Sequence, residues 1–286
     1  NEKLSELKKK KKKNLFIGNG SDELIDLIIK AFCEPKKDEI LVMNPSFVMY
    51  SFYAKINDNK VNVLELDENF QIDKEDFLQK IQNENLKVLF LCSPNNPTGN
   101  ELDDLEFFID NFSGIVVLDE AYIEFSSRKS AISWLEKYPN LVVLQTLSKA
   151  YGMAGLRIGI GAASTEIATL MNTLKGPYNV NSLSQKIALE QLNDGKIFKE
   201  NLEQILAERE FLKVQLNELD FVKKIYPTEA NFFLIKVENP IEIYEFLLAQ
   251  NILTSLRHPQ IENALRINVG SKEENQKLIE TLKNYQ

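Results

Sequence analysis

The strongest constraint on the fold is a series of short apolar segments separated, in most cases, by stretches with helical spacing. The segments predicted as strands span residues 39–43, 61–66, 88–92, 115–118, 141–144 and 158–162. Continuously apolar strands that alternate with helices are typical of a mainly parallel sheet covered by helices on both faces. In such folds ligands bind beyond the carboxyl ends of the strands. The sequence therefore predicts an α/β fold with a ligand crevice at one edge of its main sheet.

The length of the chain predicts two lobes. With 286 residues it exceeds one typical domain, which has roughly 100 to 200 residues. Residues 1–182 are expected to form a large domain around the mainly parallel sheet. The pattern over 183–216 indicates one long charged helix or a pair of helices, and 231–235 and 264–269 have the pattern of strands flanked by helices. Residues 183–286 are therefore expected to form a smaller α+β domain.

The composition of the chain limits the kinds of partner and compartment that are expected. The net charge of −8 argues against nucleic acid, whose phosphates are met by basic faces. The six lysines from Lys8 to Lys13 are interpreted as a solvated helix end or a mobile terminus, with a tether to nucleic acid or an acidic membrane as the less favoured alternative. No apolar stretch approaches the roughly 20 residues needed to span a bilayer, and no secretory leader is evident. Cys33 and Cys92 have no close-spaced partner, so no disulfide framework or zinc site is indicated, and a cytoplasmic location is expected.

Lys149 and Asp119 are the residues with the most distinctive chemistry, and each follows a predicted strand. A lysine stripped of water loses its proton more readily and can act as nucleophile and base. A carboxylate beside a pyridine nitrogen keeps that nitrogen protonated. The pair suggests pyridoxal phosphate, with Thr146, Ser148 and Arg157 as phosphate ligands. Taken alone, a Ser-Lys pair is as compatible with a solvated loop, and an aspartate after a strand with a turn or cap.

A second phosphate contact is predicted where residues 15–18 give way to a helical pattern. Gly20 permits a tight turn, and the free amides of Ser21 and Asp22 at the helix start would face an anion. An ordinary capping box is the alternative. Farther along, Gly159-Ile160-Gly161 resembles half of a dinucleotide fingerprint, but the third glycine is missing. We interpret it as a packed, glycine-containing strand.

Four segments together indicate a family: Asn95-Asn96-Pro97-Thr98-Gly99, Asp119-Glu120-Ala121-Tyr122-Ile123-Glu124-Phe125, Thr146-Leu147-Ser148-Lys149-Ala150 and Gly155-Leu156-Arg157. In order and spacing the chain resembles the fold-type I pyridoxal phosphate enzymes, and within them the histidinol-phosphate aminotransferases. The resemblance runs from about Leu15 to the C-terminus. It implies a homodimer with its active site near the interface. It also implies amino transfer between histidinol phosphate and 2-oxoglutarate, a step of histidine biosynthesis.

The resemblance also assigns cofactor contacts. It implies that Lys149 carries the cofactor and shuttles a proton, that Asn96 and Tyr122 hydrogen-bond the ring oxygen, and that Phe47 stacks on the ring. The family usually has tyrosine at the position of Phe47, so a hydroxyl is lost. From the residues alone, the Asn-Pro-Thr-Gly segment around Asn96 is a good turn, and Tyr122 and Phe47 are equally well core aromatics.

Substrate contacts are implied near the end of the chain. Arg266, in the segment Leu265-Arg266-Ile267-Asn268-Val269-Gly270, resembles the family's anion-binding arginine, with Arg257 assisting and Asn96 nearby in the crevice. An upstream arginine in the family falls nearer residue 255 than Arg257 does. Either arginine is alternatively a surface ion-pair partner. His258, the single histidine, is interpreted as structural or exposed.

The start of the chain departs from the family. Members carry an N-terminal arm with an Asn-Glu-Asn-Pro-like segment and a tyrosine that reaches the neighbouring subunit's site, and neither is visible before Leu15. A shortened chain is therefore expected, which places closure over the substrate in question. Three alternatives stay open: a phosphothreonine-type decarboxylase, another class I aminotransferase, and a homologue that binds the cofactor without catalysis.

Overall fold

The computed structural model describes residues 2–285 and contains two sheets with helices packed around them. The strands are β1 Leu15–Asn19, β2 Glu39–Asn44, β3 Lys60–Glu65, β4 Leu86–Cys92, β5 Ile115–Asp119, β6 Leu141–Thr146, β7 Ile158–Ala162, β8 Val222–Ile225, β9 Phe232–Val237, β10 Ser255–Leu256 and β11 Ala264–Asn268. The helices are α1 Glu2–Leu7, α2 Ser21–Phe32, α3 Met49–Ile56, α4 Lys74–Lys80, α5 Leu105–Asn111, α6 Thr165–Leu174, α7 Ser182–Asn193, α8 Gly195–Asn217, α9 Pro240–Ala249 and α10 Lys272–Lys283. Within residues 2–285 no helix has both the length and the apolar character needed to cross a membrane.

The main sheet has seven strands in the order β1-β7-β6-β5-β4-β2-β3. Neighbours from β6 to β3 are parallel, whereas β7 runs antiparallel to both β6 and β1. The mainly parallel sheet is thus confirmed, with Ile158–Ala162 as its reversed strand. Because β7 reverses, β1 points the same way as the parallel strands. The carboxyl ends of these strands, and the amino end of β7, therefore meet at one edge.

Both faces of this sheet are covered. Every residue of β6 and β7 is buried, and so is every residue of β4 but one. Since successive side chains of a strand point to opposite faces, uninterrupted burial requires packing on both sides. The helix α2 supplies part of this packing, burying Leu24, Ile25, Ile28 and Ile29.

The second sheet is antiparallel, in the order β10-β11-β9-β8, and has its own apolar core. The predicted pair of helices over 183–216 is present as α7 and α8, which are separated at Asp194. The Asp194 carboxylate caps α8 by accepting a hydrogen bond from the Ile197 amide. The smaller α+β unit is thus built around this sheet, and the boundary after residue 182 stays a prediction.

The lysine run differs from its prediction as a solvated helix end or mobile terminus. Lys8, directly after α1, lies 3.0 Å from the Glu124 carboxylate, and the two side chains are only 10% and 11% exposed. Its ammonium also lies 5.5 Å from the centre of the Tyr151 ring. The prediction was wrong for Lys8 because a carboxylate distant in sequence supplies a buried counter-charge. Lys10 and Lys12 form more exposed ion pairs with acidic residues.

Candidate active site

A crevice with about 530 Å³ of empty space, part of it open to solvent, lies where the carboxyl ends of the parallel strands converge. Clefts with more empty space lie elsewhere on the protein, but size alone does not identify a site, whereas this position in an α/β sheet does. Ten of the thirteen residues proposed from the sequence line the crevice: Ser21, Asp22, Phe47, Asn96, Asp119, Tyr122, Thr146, Ser148, Lys149 and Arg157. Cys92 and Ala121, which were not proposed, line it as well. The other three, Gly20, Arg257 and Arg266, lie outside this lining.

The turn between β1 and α2 forms one end of the crevice. Gly20 is the N-cap residue of α2, with a φ of 82° and no side-chain cap, so the ordinary capping box is not formed. The first amides of a helix have no partner within it, which leaves those of Ser21 and Asp22 available to an anion. A Cβ on Gly159 would lie 2.5 Å from the Ser21 nitrogen. Glycine at 159 therefore lets β7 approach this turn, which confirms the packed glycine strand.

Side chains from the loop after β6 surround the same end. The Thr146 hydroxyl donates to the Ile158 carbonyl oxygen at 3.2 Å and accepts from the Ser148 amide at 3.0 Å. Thr146 is therefore engaged in shaping the loop, and Ser148 is the hydroxyl left for a ligand. Arg157, in the left-handed region with a φ of 53°, donates from Nη2 to the Asp22 carboxylate at 3.1 Å. That ion pair holds the guanidinium beside the amino end of α2.

Asp119 lies deep in the crevice, at the end of β5, and is only 3% exposed. Its Oδ2 accepts a hydrogen bond from the Tyr50 hydroxyl at 2.8 Å, and its Oδ1 accepts one from the Ala121 amide at 3.0 Å. Burial raises the pKa of Asp119 to about 6, while these two hydrogen bonds oppose the rise. The carboxylate is thus ionised at neutral pH in a place where a cationic partner would stabilise it further.

Lys149 follows β6 and reaches into the crevice from its mouth. Its side chain is accessible to solvent, and Nζ lies 5.4 Å from the centre of the Tyr122 ring. Partial loss of water around the ammonium lowers the pKa of Lys149, and the nearby Arg266 guanidinium lowers it further, whereas Asp119 opposes this. A lowered pKa is what an amine needs to act as nucleophile and base near neutral pH.

The small sheet contributes Arg266, which contacts Asn96 from outside the lining of the crevice. Arg266, on β11, donates from Nη1 to Asn96 Oδ1, and its guanidinium stacks 4.8 Å from the centre of the Phe232 ring. Tyr122 meets the same ring edge to face at 5.2 Å. Burial raises the pKa of the Tyr122 hydroxyl above its ordinary value, so this group stays protonated and able to donate.

The guanidiniums of Arg257 and Arg266 lack acidic partners. Neither forms an ion pair with any acid between residues 2 and 285, and the Nε of each is buried without a hydrogen-bond partner there. Burial lowers the pKa of both side chains, and the proximity of Arg266 contributes at Arg257. The alternative of surface ion pairs is therefore not what the structure contains. His258 is structural as predicted, since its Nδ1 accepts from the Asn263 amide at 3.3 Å.

Phe47 lines the crevice and was predicted from the sequence, whereas Tyr50, buried behind it, was not. Phe47 is half-buried, lines the crevice and also packs on the main core, so it is in part a core aromatic, while its stacking on a cofactor ring stays a prediction. Tyr50 was missed, although a fully buried tyrosine requires a hydrogen-bond partner for its hydroxyl. Cys92 and Ala121 were missed as well. Their positions in the sequence could have identified them, since Cys92 is the last residue of β4 and Ala121 comes shortly after the end of β5.

Comparisons with known proteins agree with the family resemblance found in the sequence. The family model for aminotransferase class I and II matches residues 1–282. A histidinol-phosphate aminotransferase from Flavobacterium johnsoniae is 46% identical over 277 residues, which cover 96% of this chain and 79% of that protein. The one from Flavobacterium psychrophilum is 45% identical, with 98% and 82% covered.

Among solved structures, the histidinol-phosphate aminotransferase from Clostridium acetobutylicum superposes with a TM-score of 0.90 at 28% identity, covering 99% of this chain and 87% of that one. The resemblance found in the sequence is thus confirmed across the fold. The chain belongs to the class I and II aminotransferases and is a pyridoxal phosphate-dependent transaminase.

Proposed function

We propose that this aminotransferase exchanges the amino group between histidinol phosphate and 2-oxoglutarate. The observation that carries the proposal is the pair of half-buried guanidiniums, Arg257 and Arg266, near the crevice and without acidic partners among residues 2–285. Guanidinium groups bind phosphate and carboxylate in a two-pronged, charge-assisted geometry. One substrate carries a phosphate and the other carries carboxylates. The names of the relatives at 45% and 46% identity favour histidinol phosphate as the amino donor.

The groups that line the crevice match the chemistry of pyridoxal phosphate. At one end lie helix amides and the Arg157 guanidinium, which a side chain at Gly20 would meet at 2.5 Å. Deep inside lies a buried carboxylate, Asp119, without a cationic side chain bonded to it among the described residues. The Lys149 amine lines the same crevice and has a lowered pKa. Phosphate, ring nitrogen and aldehyde would each find a group of the required chemistry.

We assign the phosphate to Gly20, Ser21, Asp22, Ser148 and Arg157. The amides at the start of α2 donate hydrogen bonds and add the favourable end of the helix dipole. Gly20 allows the backbone to form the turn, and Asp22 contributes its backbone amide rather than its side chain. Thr146, the sixth residue of this group, acts mainly by holding the loop, because its hydroxyl already donates to the Ile158 carbonyl.

When bound, the cofactor supplies an electron-withdrawing ring that stabilises negative charge at the carbon bearing the amino group. Asp119 keeps the ring nitrogen protonated through its carboxylate. Asn96 and Tyr122 donate to the ring oxygen, and Phe47 packs against the ring face. Lys149 Nζ holds the cofactor between turnovers. During turnover, Nζ takes the proton from the substrate carbon and returns it.

The substrate's anionic group is assigned to Arg266 and Arg257, with Asn96 beside them. The Arg266 guanidinium already donates to Asn96 Oδ1, so the same amide borders both the cofactor and the substrate positions. A substrate phosphate or carboxylate would supply the buried guanidiniums with the counter-charge that they lack.

The test combines cofactor binding with turnover. Purified protein is titrated with pyridoxal phosphate beside a Lys149→Ala variant, and the visible absorption of the bound cofactor is followed. We expect a lysine-dependent band that changes when histidinol phosphate is added, and glutamate formation when 2-oxoglutarate is present. Amino transfer from aspartate or phenylalanine, with none from histidinol phosphate, would refute the substrate assignment.

The remaining alternatives give distinct results in the same assay. Release of carbon dioxide from phosphothreonine would identify a decarboxylase. A lysine-dependent band that responds to no amino donor would indicate a homologue that binds the cofactor without catalysis.

We also propose that the protein is a homodimer with the crevice near its interface. Val48, Phe52 and Ile56 are 61%, 46% and 60% exposed. Their spacing of four places them on one face of the α3 region, which begins directly after Phe47. Such a stripe is typical of a surface covered by another protein. Sedimentation should give a dimer that Phe52→Glu dissociates, whereas Leu248→Glu, at a similarly exposed position of α9, should leave it intact.

A cytoplasmic location is proposed on the state of the cysteines. Cys33 and Cys92 are both free and buried, as suits a reducing compartment. Fractionation of cells that express the protein would test this.

A further inference from the structure

Tyr50 occupies a position beneath the crevice that holds its hydroxyl against Asp119. The residue belongs to α3 and is 1% exposed. Its ring stacks on Phe90 at 4.7 Å with an interplanar angle of 15°, and Phe47 meets it edge to face at 5.6 Å. Packing on two sides fixes the ring, and with it the direction in which the hydroxyl donates. The hydroxyl lies 2.8 Å from Asp119 Oδ2.

Several other groups face Asp119. The Ala121 amide, on the chain following β5, donates to Oδ1. From α2, Asp22 repels negative charge on Asp119, and from the loop after β6, Lys149 attracts it. Cys92, at the end of β4, is a neutral neighbour, because burial raises the pKa of its thiol to about 12. Among residues 2–285, Tyr50 alone gives Asp119 a side-chain hydrogen bond.

We propose that Tyr50 is a positioning residue for the transamination, which orients the Asp119 carboxylate and keeps it ionised. This inference rests on the proposed role of Asp119 at the ring nitrogen. Donors on both oxygens prevent rotation of the carboxylate, and each hydrogen bond favours the charged form over the neutral one. A phenylalanine at position 50 would fill the same space but would do neither.

Tyr50, which bonds Asp119, and Phe47, which lines the crevice, belong to the same short segment. Phe47 lines the crevice, and Tyr50 follows it by three residues, one turn farther along the chain. One short segment therefore supplies both the surface beside the cofactor and the hydrogen bond to the carboxylate beneath it. The segment would set the distance between ring and carboxylate as a unit.

The first test uses the protein without cofactor and the variant Tyr50→Phe. The titration of Asp119 is followed by infrared spectroscopy with carbon-13-labelled aspartate, using Asp119→Asn to identify its band. We expect Tyr50→Phe to move the titration midpoint upward by about one to two pH units, the effect of losing one hydrogen bond to a buried charge. The control is Tyr138→Phe, which removes a buried hydroxyl bonded to Glu106 at 2.7 Å, outside the crevice. It should leave Asp119 unchanged.

A second substitution guards against loss of folding. Site-specific replacement of Tyr50 by 3,5-difluorotyrosine makes the hydroxyl a stronger donor, so the Asp119 titration should move downward instead. Opposite movements in the two variants support the inference. An unchanged titration in either folded variant would overturn it.

The loaded enzyme provides an independent readout. With a more basic Asp119, the proton shared with the ring nitrogen moves toward the carboxylate, so the pH profile of the cofactor's visible absorption should change. If the Asp119 titration rises by one pH unit, we expect kcat to fall by at most about tenfold, with KM for the amino donor nearly unchanged. If the wild-type protein transfers no amino group, the proposed function fails, whereas the infrared titration still decides whether Tyr50 controls Asp119.

Discussion

Glu120 offers a quantitative test of the electrostatics behind the crevice. It follows Asp119 in the chain but lies 2% exposed in a separate polar cluster. Its carboxylate accepts hydrogen bonds from the Ser130 hydroxyl at 2.5 Å, the Ala131 amide at 2.7 Å and Gln145 Nε2 at 2.8 Å. Burial nevertheless outweighs these hydrogen bonds and raises the pKa of Glu120 to about 7.

The raised pKa of Glu120 determines whether its contribution to the free energy of unfolding rises or falls with pH. The ordinary pKa is 4.5, so between that value and about 7 the folded protein retains a proton that the unfolded chain has released. The free energy of unfolding therefore loses a contribution from Glu120 as pH rises through this window. A difference of about 2.5 pH units corresponds to about 3 kcal/mol, most of it lost between pH 5 and 8.

The substitution Glu120→Gln keeps the size of the side chain and removes its titration. Its amide N–H could also serve Gln145 Oε1, a buried oxygen without a hydrogen-bond partner among residues 2–285. We expect the wild type to lose up to about 3 kcal/mol relative to the variant between pH 5 and 8. The assay is urea unfolding of the cofactor-free protein at a series of pH values, followed by the fluorescence of its single tryptophan, Trp134.

The control is Glu136→Gln, because the Glu136 side chain is 94% exposed and pairs only distantly with Lys10 at 3.6 Å. Its difference from the wild type should not change with pH beyond a few tenths of a kcal/mol. Parallel stability curves for the wild type and Glu120→Gln would mean that Glu120 titrates normally when folded. Burial would then not be the factor that controls the protonation of this carboxyl group.

Three further predictions concern ligand binding. In Gly159→Ala the new Cβ would lie 2.4 Å from the backbone of the turn before α2. The affinity for pyridoxal phosphate, measured by fluorescence titration, should therefore fall by about tenfold or more. The control is Gly155→Ala, which should bind the cofactor normally because no atom lies within 4 Å of the new Cβ. Arg266→Lys loses the two-pronged contact, and kcat/KM for the amino donor should fall by about 30-fold to 100-fold in steady-state assays. Phe47→Tyr keeps the aromatic wall, and cofactor affinity should stay within about threefold of the wild type.

Much of the fold was accessible from local pattern. The apolar runs predicted as strands agree with β2 to β7 to within a few residues at their ends. Most of these strands are buried on both faces and are therefore apolar nearly throughout, whereas β3, at the edge of the sheet, is only partly buried. Asn96, Asp119 and Lys149 were expected to converge because parallel strands bring their carboxyl ends to one edge. The crevice contains all three.

Other features depend on residues that are far apart in the chain. The direction of β7, the ion pair of Lys8 with Glu124, and the contact of Arg266 with Asn96 each join segments that no local pattern relates. The hydrogen bond of Tyr50 to Asp119 likewise joins two residues that lie 69 positions apart in the chain.

Local sequence was sufficient to establish which segments are strands, where the parallel sheet presents its edge, and which residue types gather there. Those properties follow from side-chain polarity and its period along the chain. Packing in three dimensions settled which groups are desolvated and which have partners. It thereby set the directions in which the pKa values of Asp119, Lys149 and Glu120 shift. Desolvation and charge proximity depend on distance in space, and the order of residues does not record that distance.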